Sequence, residues 1–435
     1  MIPYRYYRIQ WIQFLLFGGK FMDSFSELLG ARHARLYDST IQDMIELVHS
    51  SGALSFTAGE PSIDLMPARD LREALCKAFD NATDLMGYYH DSSGLTELRD
   101  WIAQWTKNEG LLPRHLTWEN ILLTTGSQEG LGLFTEAVID QGDVVAVENP
   151  SYPEAFLAFE KEGASIEAVP MDDEGPSTEA LEDLASKRHV KFFYTIPCFQ
   201  NPSGAVTSLK RRKEILELAK YYNFLILEDD PYRHLWFEEA PPTSYISLHE
   251  NDGRVIYLGS FSKVVAPGIR CGWIAAPEWI FKTLHRLRVA TTLNLPAILH
   301  LGLLEFLQSG GFTGHLERLR KAYRARRDGL VEALHKHFNK SEFRFEIPKG
   351  GFFLWGEAPG LKDSDSFVKF AIQNEGVGVI AGKTFSPYPA KANEGTIRLS
   401  FAKVSPEEAD EGCERLKRAL SKYMNLTQEG EKTNE

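Results

Sequence analysis

The sequence is poor in cysteine, and its few thiols form no recognisable arrangement. Only Cys76, Cys198, Cys271 and Cys413 occur among 435 residues, and no two of them form a C-x-x-C pair or have a histidine at ligand spacing. We therefore expect neither a disulfide framework nor a zinc site, and we predict no metal. Scattered thiols are typical of a reducing compartment, which predicts a cytoplasmic protein.

The sequence also lacks a long apolar run. The one stretch that resembles a targeting signal, residues 11–17, is far shorter than the roughly 20 residues of a membrane-spanning helix. No small-residue cleavage site follows it. We therefore expect no membrane partner. We interpret residues 1–22 as an N-terminal extension that is disordered or wrongly assigned, because Met22 followed by Asp23 is a plausible alternative start.

Positive charge is in deficit. Lysine and arginine number 48 against 60 aspartate and glutamate residues, and the net charge of -12 predicts no nucleic-acid partner. The densest basic segment, residues 318–327, covers several faces of one predicted helix, as solvated charge does. The 43% of hydrophobic and 25% of charged residues are typical of a folded chain, and the length allows two domains.

Short apolar runs alternate with amphipathic segments over residues 121–276, which predicts an α/β fold. The predicted strands are 121–125, 144–147, 165–169, 191–196, 224–227, 255–258 and 271–275. The predicted helices between them are 129–140, 152–162, 177–187 and 209–222. Strands of nearly continuous apolar residues are buried on both faces, so we expect a largely parallel seven-stranded sheet flanked by helices.

A different pattern follows residue 277 and predicts a smaller α+β domain. It is mostly helical to residue 338, then gives strands at 350–355 and 396–401 and helices at 365–374 and 406–423. Residues 23–60 carry one helix, at 41–49, and a turn-rich stretch. We therefore predict an arm at 23–60 that contributes to the small domain, a large domain at 61–300 and a small domain at 301–435.

Polar residues follow several predicted strands at the point where each strand ends. Lys263 lies in Ser260-Phe261-Ser262-Lys263 after the strand at 255–258, and Asp229 and Tyr232 follow the strand at 224–227. Asn201 follows the strand at 191–196. Open α/β sheets hold ligands at the carboxyl ends of their strands, so these residues predict a ligand site, although each alone also fits a solvated loop or a turn.

A fourth strand end turns directly into a helix at Ser127 and Gln128. The free N–H groups and positive dipole of a helix N-terminus suit a phosphate, whereas the plainer alternative is an N-cap serine. Arg398 lies on an apolar strand of the smaller domain, where a lone guanidinium is costly unless it meets an anion.

In chain order these residues resemble the fold-type I pyridoxal-phosphate enzymes. The order is Ser-Gln, Tyr, Asn-Pro-x-Gly, Asp-x-x-Tyr, Ser-x-x-Lys, Arg and a late Arg, within residues 39–423. The similarity is to class I and II aminotransferases, and within them to the subgroup of aminoadipate and kynurenine aminotransferases. It implies a homodimer that moves an amino group from an apolar, aromatic or aminoadipate-like L-amino acid to a 2-oxo acid, with 2-oxoglutarate as the expected acceptor, by a ping-pong mechanism.

The resemblance also implies roles for individual residues. Lys263 would form the cofactor aldimine and carry the α-proton, and Asp229 would pair with the pyridine nitrogen. The other implied cofactor contacts are Tyr152 stacked on the ring, Asn201 and Tyr232 at its 3-oxygen, and Ser127, Gln128, Ser260, Ser262 and Arg270 at the phosphate. Tyr89 would reach the phosphate of the neighbouring subunit's cofactor.

Substrate contacts follow from the same resemblance. Arg398 would bind the α-carboxylate, and Asn201, Gly59 and Phe353 would surround the substrate. Members of the subgroup commonly carry Ser-x-Ile-Arg at the N-terminal helix, where this chain has Ser39-Thr40-Ile41-Gln42. A neutral Gln42 cannot pair with a distal carboxylate, so we expect an apolar or aromatic donor rather than a dedicated aminoadipate specificity.

Two alternatives stay open at this point. The same scaffold also carries C–S lyases and decarboxylases, because the fold does not fix the reaction. Some transcription regulators carry an aminotransferase-like sensor domain behind a DNA-binding domain. The 22 residues before Asp23 and the acidic charge argue against a regulator.

Overall fold

The computed structural model describes residues 29–30, 34–82, 87, 89–248, 252–388 and 394–432. The predicted extension at residues 1–22 lies outside these ranges. Within the described part of the chain, no helix combines the length and apolar character needed to cross a membrane.

The described residues form thirteen α-helices. They are α1 Thr40–Ser51, α2 Ala68–Asn81, α3 Thr96–Asn108, α4 Ser127–Val138, α5 Pro153–Lys161, α6 Thr178–Lys187, α7 Leu209–Tyr222, α8 Tyr245–Leu248, α9 Glu278–Thr291, α10 Ala297–Gln308, α11 Gly311–His337, α12 Ser364–Glu375 and α13 Pro406–Lys432. The helices predicted between the strands all occur, each within two residues of its expected ends.

The strands fall into three sheets. They are β1 Leu54–Ser55, β2 Ile121–Thr124, β3 Val144–Asn149, β4 Ser165–Asp172, β5 Gly175–Pro176, β6 Val190–Thr195, β7 Leu225–Asp229, β8 Val255–Ser260, β9 Gly272–Ala275, β10 Arg344–Phe345, β11 Phe353–Glu357, β12 Val377–Gly378, β13 Ile380–Ala381 and β14 Thr396–Ser400.

The large sheet has the order β2-β9-β8-β7-β6-β3-β4-β5. The pairs β8–β7, β7–β6, β6–β3 and β3–β4 are parallel, whereas β9 runs antiparallel to both β2 and β8. All seven predicted strands are present, and the two-residue β5 adds an eighth that pairs antiparallel with β4. The middle strands are buried along nearly their whole length, which explains their continuous apolar sequence.

The smaller sheet has the order β10-β11-β14-β13 and is antiparallel. A separate two-stranded sheet pairs β1 with β12 in parallel, so that Leu54 opposes Val377. This pairing fixes the N-terminal arm beside the C-terminal part of the chain. The division of the chain into domains stays a prediction.

Candidate active site

A cavity of about 370 Å³ lies at the carboxyl ends of the central strands. Thirteen of the fifteen predicted site residues line it. They are Gln42, Gly59, Ser127, Gln128, Tyr152, Asn201, Asp229, Tyr232, Ser260, Ser262, Lys263, Arg270 and Arg398. Residues that are far apart in the sequence meet here because parallel strands bring their carboxyl ends to one edge of the sheet.

Lys263 reaches the cavity from the turn that follows β8. The buried ring of Phe261 anchors this turn, and the Ser262 amide donates to Ser260 Oγ at 3.1 Å. Lys263 Nζ donates to the carbonyl oxygen of Gly59 at 2.8 Å. Burial lowers the pKa of Lys263 to about 8, because desolvation penalises the ammonium form. The amine can therefore act as a nucleophile and as a base near neutral pH.

Asp229 is the last residue of β7 and is almost completely buried. Its Oδ2 accepts a hydrogen bond from the Tyr194 hydroxyl at 2.9 Å, while its Oδ1 is buried without a hydrogen-bond partner. Burial raises the pKa of Asp229 to about 7. A positively charged N–H donor at Oδ1 would satisfy the orphaned oxygen and keep the carboxylate ionised.

Arg398 projects from β14 between two aromatic rings. Its guanidinium carbon lies 4.2 Å from the ring centre of Phe353 and 4.9 Å from that of Phe385. Nη1 donates to Asn201 Oδ1 at 2.8 Å and Nη2 to the Thr57 carbonyl at 2.7 Å, while the buried Nε has no partner. Burial lowers the pKa of Arg398 to about 10, so the group stays cationic at neutral pH and can hold an anion.

The contact with Arg398 also orients Asn201. A guanidinium only donates, so the amide oxygen of Asn201 must face Arg398 and its NH2 group remains a donor. The neighbouring Tyr232 is buried, with its ring centre 5.7 Å from those of Phe352 and Phe353. Burial raises the pKa of Tyr232, so its hydroxyl is a second neutral donor.

The start of α4 also lines the cavity. Gly126 is its N-cap at φ 102°, and a Cβ atom there would lie 2.9 Å from Arg270 Nη2. Ser127, Ser260 and Ser262 line the same cavity. Helix dipole, hydroxyls and guanidinium together suit a phosphate. The Gln128 side chain donates to the Glu154 carbonyl at 2.9 Å.

Two predicted site residues do not line the cavity. Tyr89 is 79% exposed and lies on the surface of this chain. Phe353 lies behind the cavity wall, where it packs against Arg398 rather than facing the substrate directly. A Cβ atom on Gly59 would lie 3.4 Å from the Phe353 ring, so that ring also supports the Gly59 turn.

Several residues at the site were not predicted. Tyr194 on β6 binds Asp229, and Glu154 on α5 lines the cavity together with Glu60, Ile41 and Ile45. A signal for Tyr194 existed, since a tyrosine within a buried strand needs a partner for its hydroxyl. A glutamate in the first turn of a helix carries no such signal, because the helix dipole alone favours it there.

Comparison with known proteins agrees with this geometry. The family model described as aminotransferase class I and II matches residues 51–416. The chain belongs to the aminotransferase class I and II family. It is 35% identical over 405 residues to a 2-aminoadipate transaminase of Thermus thermophilus, covering 93% of this chain and 99% of that protein. It is 32% identical over 391 residues to aromatic-amino-acid aminotransferase 1 of Thermococcus litoralis, covering 89% and 92%.

The solved structures give the cofactor. An alpha-aminoadipate aminotransferase from Thermus thermophilus, complexed with N-(5'-phosphopyridoxyl)-L-leucine, superposes with a TM-score of 0.84 at 34% identity and covers 92% of this chain and 99% of that chain. The protein is a pyridoxal-phosphate-dependent aminotransferase that acts on amino and oxo acids. The orphaned Asp229 oxygen and the α4 N-terminus fit the cofactor's ring nitrogen and phosphate. No cluster able to hold a metal ion occurs in the described ranges.

Proposed function

We propose that this aminotransferase takes the amino group from an L-amino acid with an apolar or aromatic side chain and passes it to a 2-oxo acid in a ping-pong cycle. The observation that carries the proposal is the convergence of three groups on one cavity: the Lys263 amine, the unpartnered Oδ1 of Asp229 and the buried guanidinium of Arg398. The resemblance predicts 2-oxoglutarate as the acceptor. Its relatives include a 2-aminoadipate transaminase and an aromatic-amino-acid aminotransferase.

Substrate binding would begin at Arg398. Its guanidinium would hold the α-carboxylate, with Asn201 and the Thr57 carbonyl fixing its position. That contact would place the substrate α-carbon between Arg398 and Lys263. Ile41 and Ile45 line the same cavity and would contact an apolar side chain.

Proton transfer would then be the work of Lys263. Bound pyridoxal phosphate supplies an electron sink for the charge that develops at the substrate α-carbon. A neutral Lys263 Nζ would accept the α-proton, and its lowered pKa makes that neutral form accessible. Asp229 would stabilise positive charge on the ring nitrogen, and Tyr152 would cover the ring.

Absorbance spectroscopy tests this function. Purified protein should show a visible cofactor band that an apolar or aromatic donor bleaches and that 2-oxoglutarate restores, as a ping-pong cycle requires. Glutamate-like donors reacting far better than apolar or aromatic ones would contradict the donor assignment. Release of ammonia or carbon dioxide without a need for an oxo acid would favour a lyase or a decarboxylase instead.

Two further proposals concern the whole protein. We infer a homodimer in which the exposed Tyr89 completes the partner's phosphate site, since a large exposed aromatic ring gains by burial at an interface. A cytoplasmic location is the second, and its support remains the scattered, unpaired cysteines.

A further inference from the structure

Some of the charged residues that line the active-site cavity have no role in the proposed function. Six charged side chains line the cavity, and three of them are the cations Lys263, Arg270 and Arg398. The proposed function gives all three, and Asp229, a role with the cofactor or the α-carboxylate. The two charged residues left over are Glu60 and Glu154. Among the described residues that line the cavity, the charge left without an assigned contact is therefore negative.

The two glutamates differ in their surroundings. Glu60 is exposed and forms an ion pair with Lys403, so its charge is already compensated. Glu154 lies in the first turn of α5 and its Oε1 accepts a hydrogen bond from Ser39 Oγ at 3.1 Å. Its second oxygen, Oε2, is buried without a hydrogen-bond partner. Of these two glutamates, Glu154 is thus the one with a buried oxygen, Oε2, that can still accept a hydrogen bond from a ligand.

The Glu154 carboxylate is held in place from two sides. Ser39 is the N-cap of α1 and accepts from the Gln42 amide at 3.2 Å, so the group that binds Oε1 is itself fixed. The Glu154 carbonyl receives the Gln128 side chain. Burial raises the pKa of Glu154, because the carboxylate is poorly solvated there. A cation at Oε2 would reverse that penalty.

The surfaces around Glu154 suit an aliphatic chain. Ile41 and Ile45 project from α1 into the cavity, and Gln42 between them adds no charge. A ligand in this cavity is therefore offered a cation at Arg398, apolar side chains at Ile41 and Ile45, and a carboxylate at Glu154. Those features match an α-carboxylate, a methylene stem and a terminal ammonium.

We propose that Glu154 extends the apolar donors of the proposed function to amino acids whose aliphatic side chain ends in a protonated nitrogen, as in lysine or ornithine, and disfavours side chains that end in a carboxylate. The proposal rests on the proposed function, because Arg398 and Lys263 must hold the donor's α-amino acid group.

Three donor amino acids of similar length separate the effect of side-chain charge from that of side-chain shape. Lysine ends in an ammonium, norleucine in a methyl group and 2-aminoadipate in a carboxylate. We measure kcat/KM for each donor half-reaction with the holoenzyme by the loss of the cofactor band. We expect lysine to exceed norleucine and 2-aminoadipate to be the poorest. In Glu154→Gln, the lysine-to-norleucine ratio should fall about ten-fold or more, since charge-assisted bonds are lost, and 2-aminoadipate should improve.

A matched control is available on the same helix. Glu160→Gln removes the same charge from α5 at a position that does not line the cavity, and it should leave all three donors unchanged. Ser39→Ala removes the donor to Oε1 without touching the charge, and it should lower the lysine-to-norleucine ratio in the same direction as Glu154→Gln. Ser39→Ala decides the question if Glu154→Gln does not retain cofactor.

The outcomes distinguish the two proposals. A wild-type ratio of lysine to norleucine at or below one overturns the role of Glu154, as does a Glu154→Gln ratio that matches the Glu160→Gln ratio. If norleucine and aromatic donors fail to bleach the cofactor band while lysine succeeds, the apolar-donor function is wrong and the role of Glu154 stands. If no donor bleaches the band, both are wrong.

Discussion

Lys263 combines an amine with a partly buried position beside the cavity. Desolvation brings its pKa down to about 8, while the Gly59 carbonyl oxygen accepts a hydrogen bond from Nζ and holds it at the cavity. An exposed lysine stays charged until about pH 10.4. The environment of this residue therefore changes the chemistry that its side chain can perform near neutral pH.

This difference predicts the pH dependence of cofactor capture. In protein stripped of cofactor, only the neutral amine attacks the cofactor, so the capture rate should rise with pH and level off above about pH 8. Stopped-flow absorbance after mixing with pyridoxal phosphate measures the rate. A rate that continues to rise towards pH 10 would mean that Lys263 is not desolvated, and Lys263→Ala should form no covalent adduct at all.

Tyr194 supports Asp229 from the adjacent strand. Burial raises the pKa of the Asp229 carboxylate, and the hydrogen bond from the Tyr194 hydroxyl lowers it. Tyr194→Phe should therefore raise that pKa further and weaken cofactor binding. Loss of one hydrogen bond to a charged group is worth about 1.5–3 kcal/mol, which corresponds to a weakening of cofactor binding by about ten-fold or more. Equilibrium titration of the stripped protein with cofactor measures it.

Tyr245→Phe is the control for Tyr194→Phe. The Tyr245 hydroxyl is equally buried but has no hydrogen-bond partner, so its removal should leave cofactor affinity unchanged. Because Asp229 needs its charge, the Tyr194→Phe defect should also grow as the pH falls. Equal affinities for the two variants would show that Tyr194 does not act through Asp229.

Cavity residues that come at the end of an apolar strand were predictable from the sequence. Residues whose position already has an ordinary structural explanation were not. Lys263, Asp229 and Asn201 each follow an apolar strand, and topology brings such positions together. Glu154 was missed because an acidic residue in a first helical turn already has a reason to be there. Phe353 was placed in the right region, but pairing of β11 with β14 directs its ring against Arg398.

At the level of elements, the start of α4 is a tightly constrained junction of the site. Gly126 has a φ of 102°, and any Cβ there would press on Arg270. Gly126→Ala should therefore strain the backbone by about 1–3 kcal/mol and displace Arg270. We expect weaker cofactor binding together with a lower melting temperature, measured by titration and calorimetry.

Gly132→Ala provides the comparison within the same helix. No atom lies within 4 Å of a Cβ at Gly132, and the residue is in the helix interior. Replacing it with alanine should stabilise α4 by up to about 1 kcal/mol and leave cofactor affinity unchanged. A Gly126→Ala variant that behaved like Gly132→Ala would contradict the constraint at Arg270.

The elements were predictable to the extent that apolar periodicity specifies them. The seven predicted strands of the large sheet follow from their short apolar runs, and the helices between them follow from amphipathic spacing. The strand β5 was missed because Gly175 and Pro176 both disfavour strands, and only the reversal of the chain after Asp172 brings them into register with β4. Such pairing is a tertiary effect.

At the scale of the whole molecule, the proposed dimer can be tested by combining two variants that each lack a different active-site group. Lys263→Ala removes the amine from one subunit, and Tyr89→Phe removes the hydroxyl that would serve the other. In a mixed dimer, one site regains both groups. Activity after the two variants are unfolded and refolded together should exceed that of either variant alone. Simple averaging of the two activities would argue against a shared site.

The arm at Leu54–Glu60 contacts the active site mainly through its backbone. The Thr57 carbonyl holds Arg398 and the Gly59 carbonyl holds Lys263, while the pairing of β1 with β12 secures the arm. Backbone oxygens persist whatever side chains the arm carries. Substitutions of Ile41, Gln42 or Ile45 can therefore change which amino acid the cavity accepts while Lys263 and Arg398 stay in place. A new substrate range can thus evolve by single substitutions.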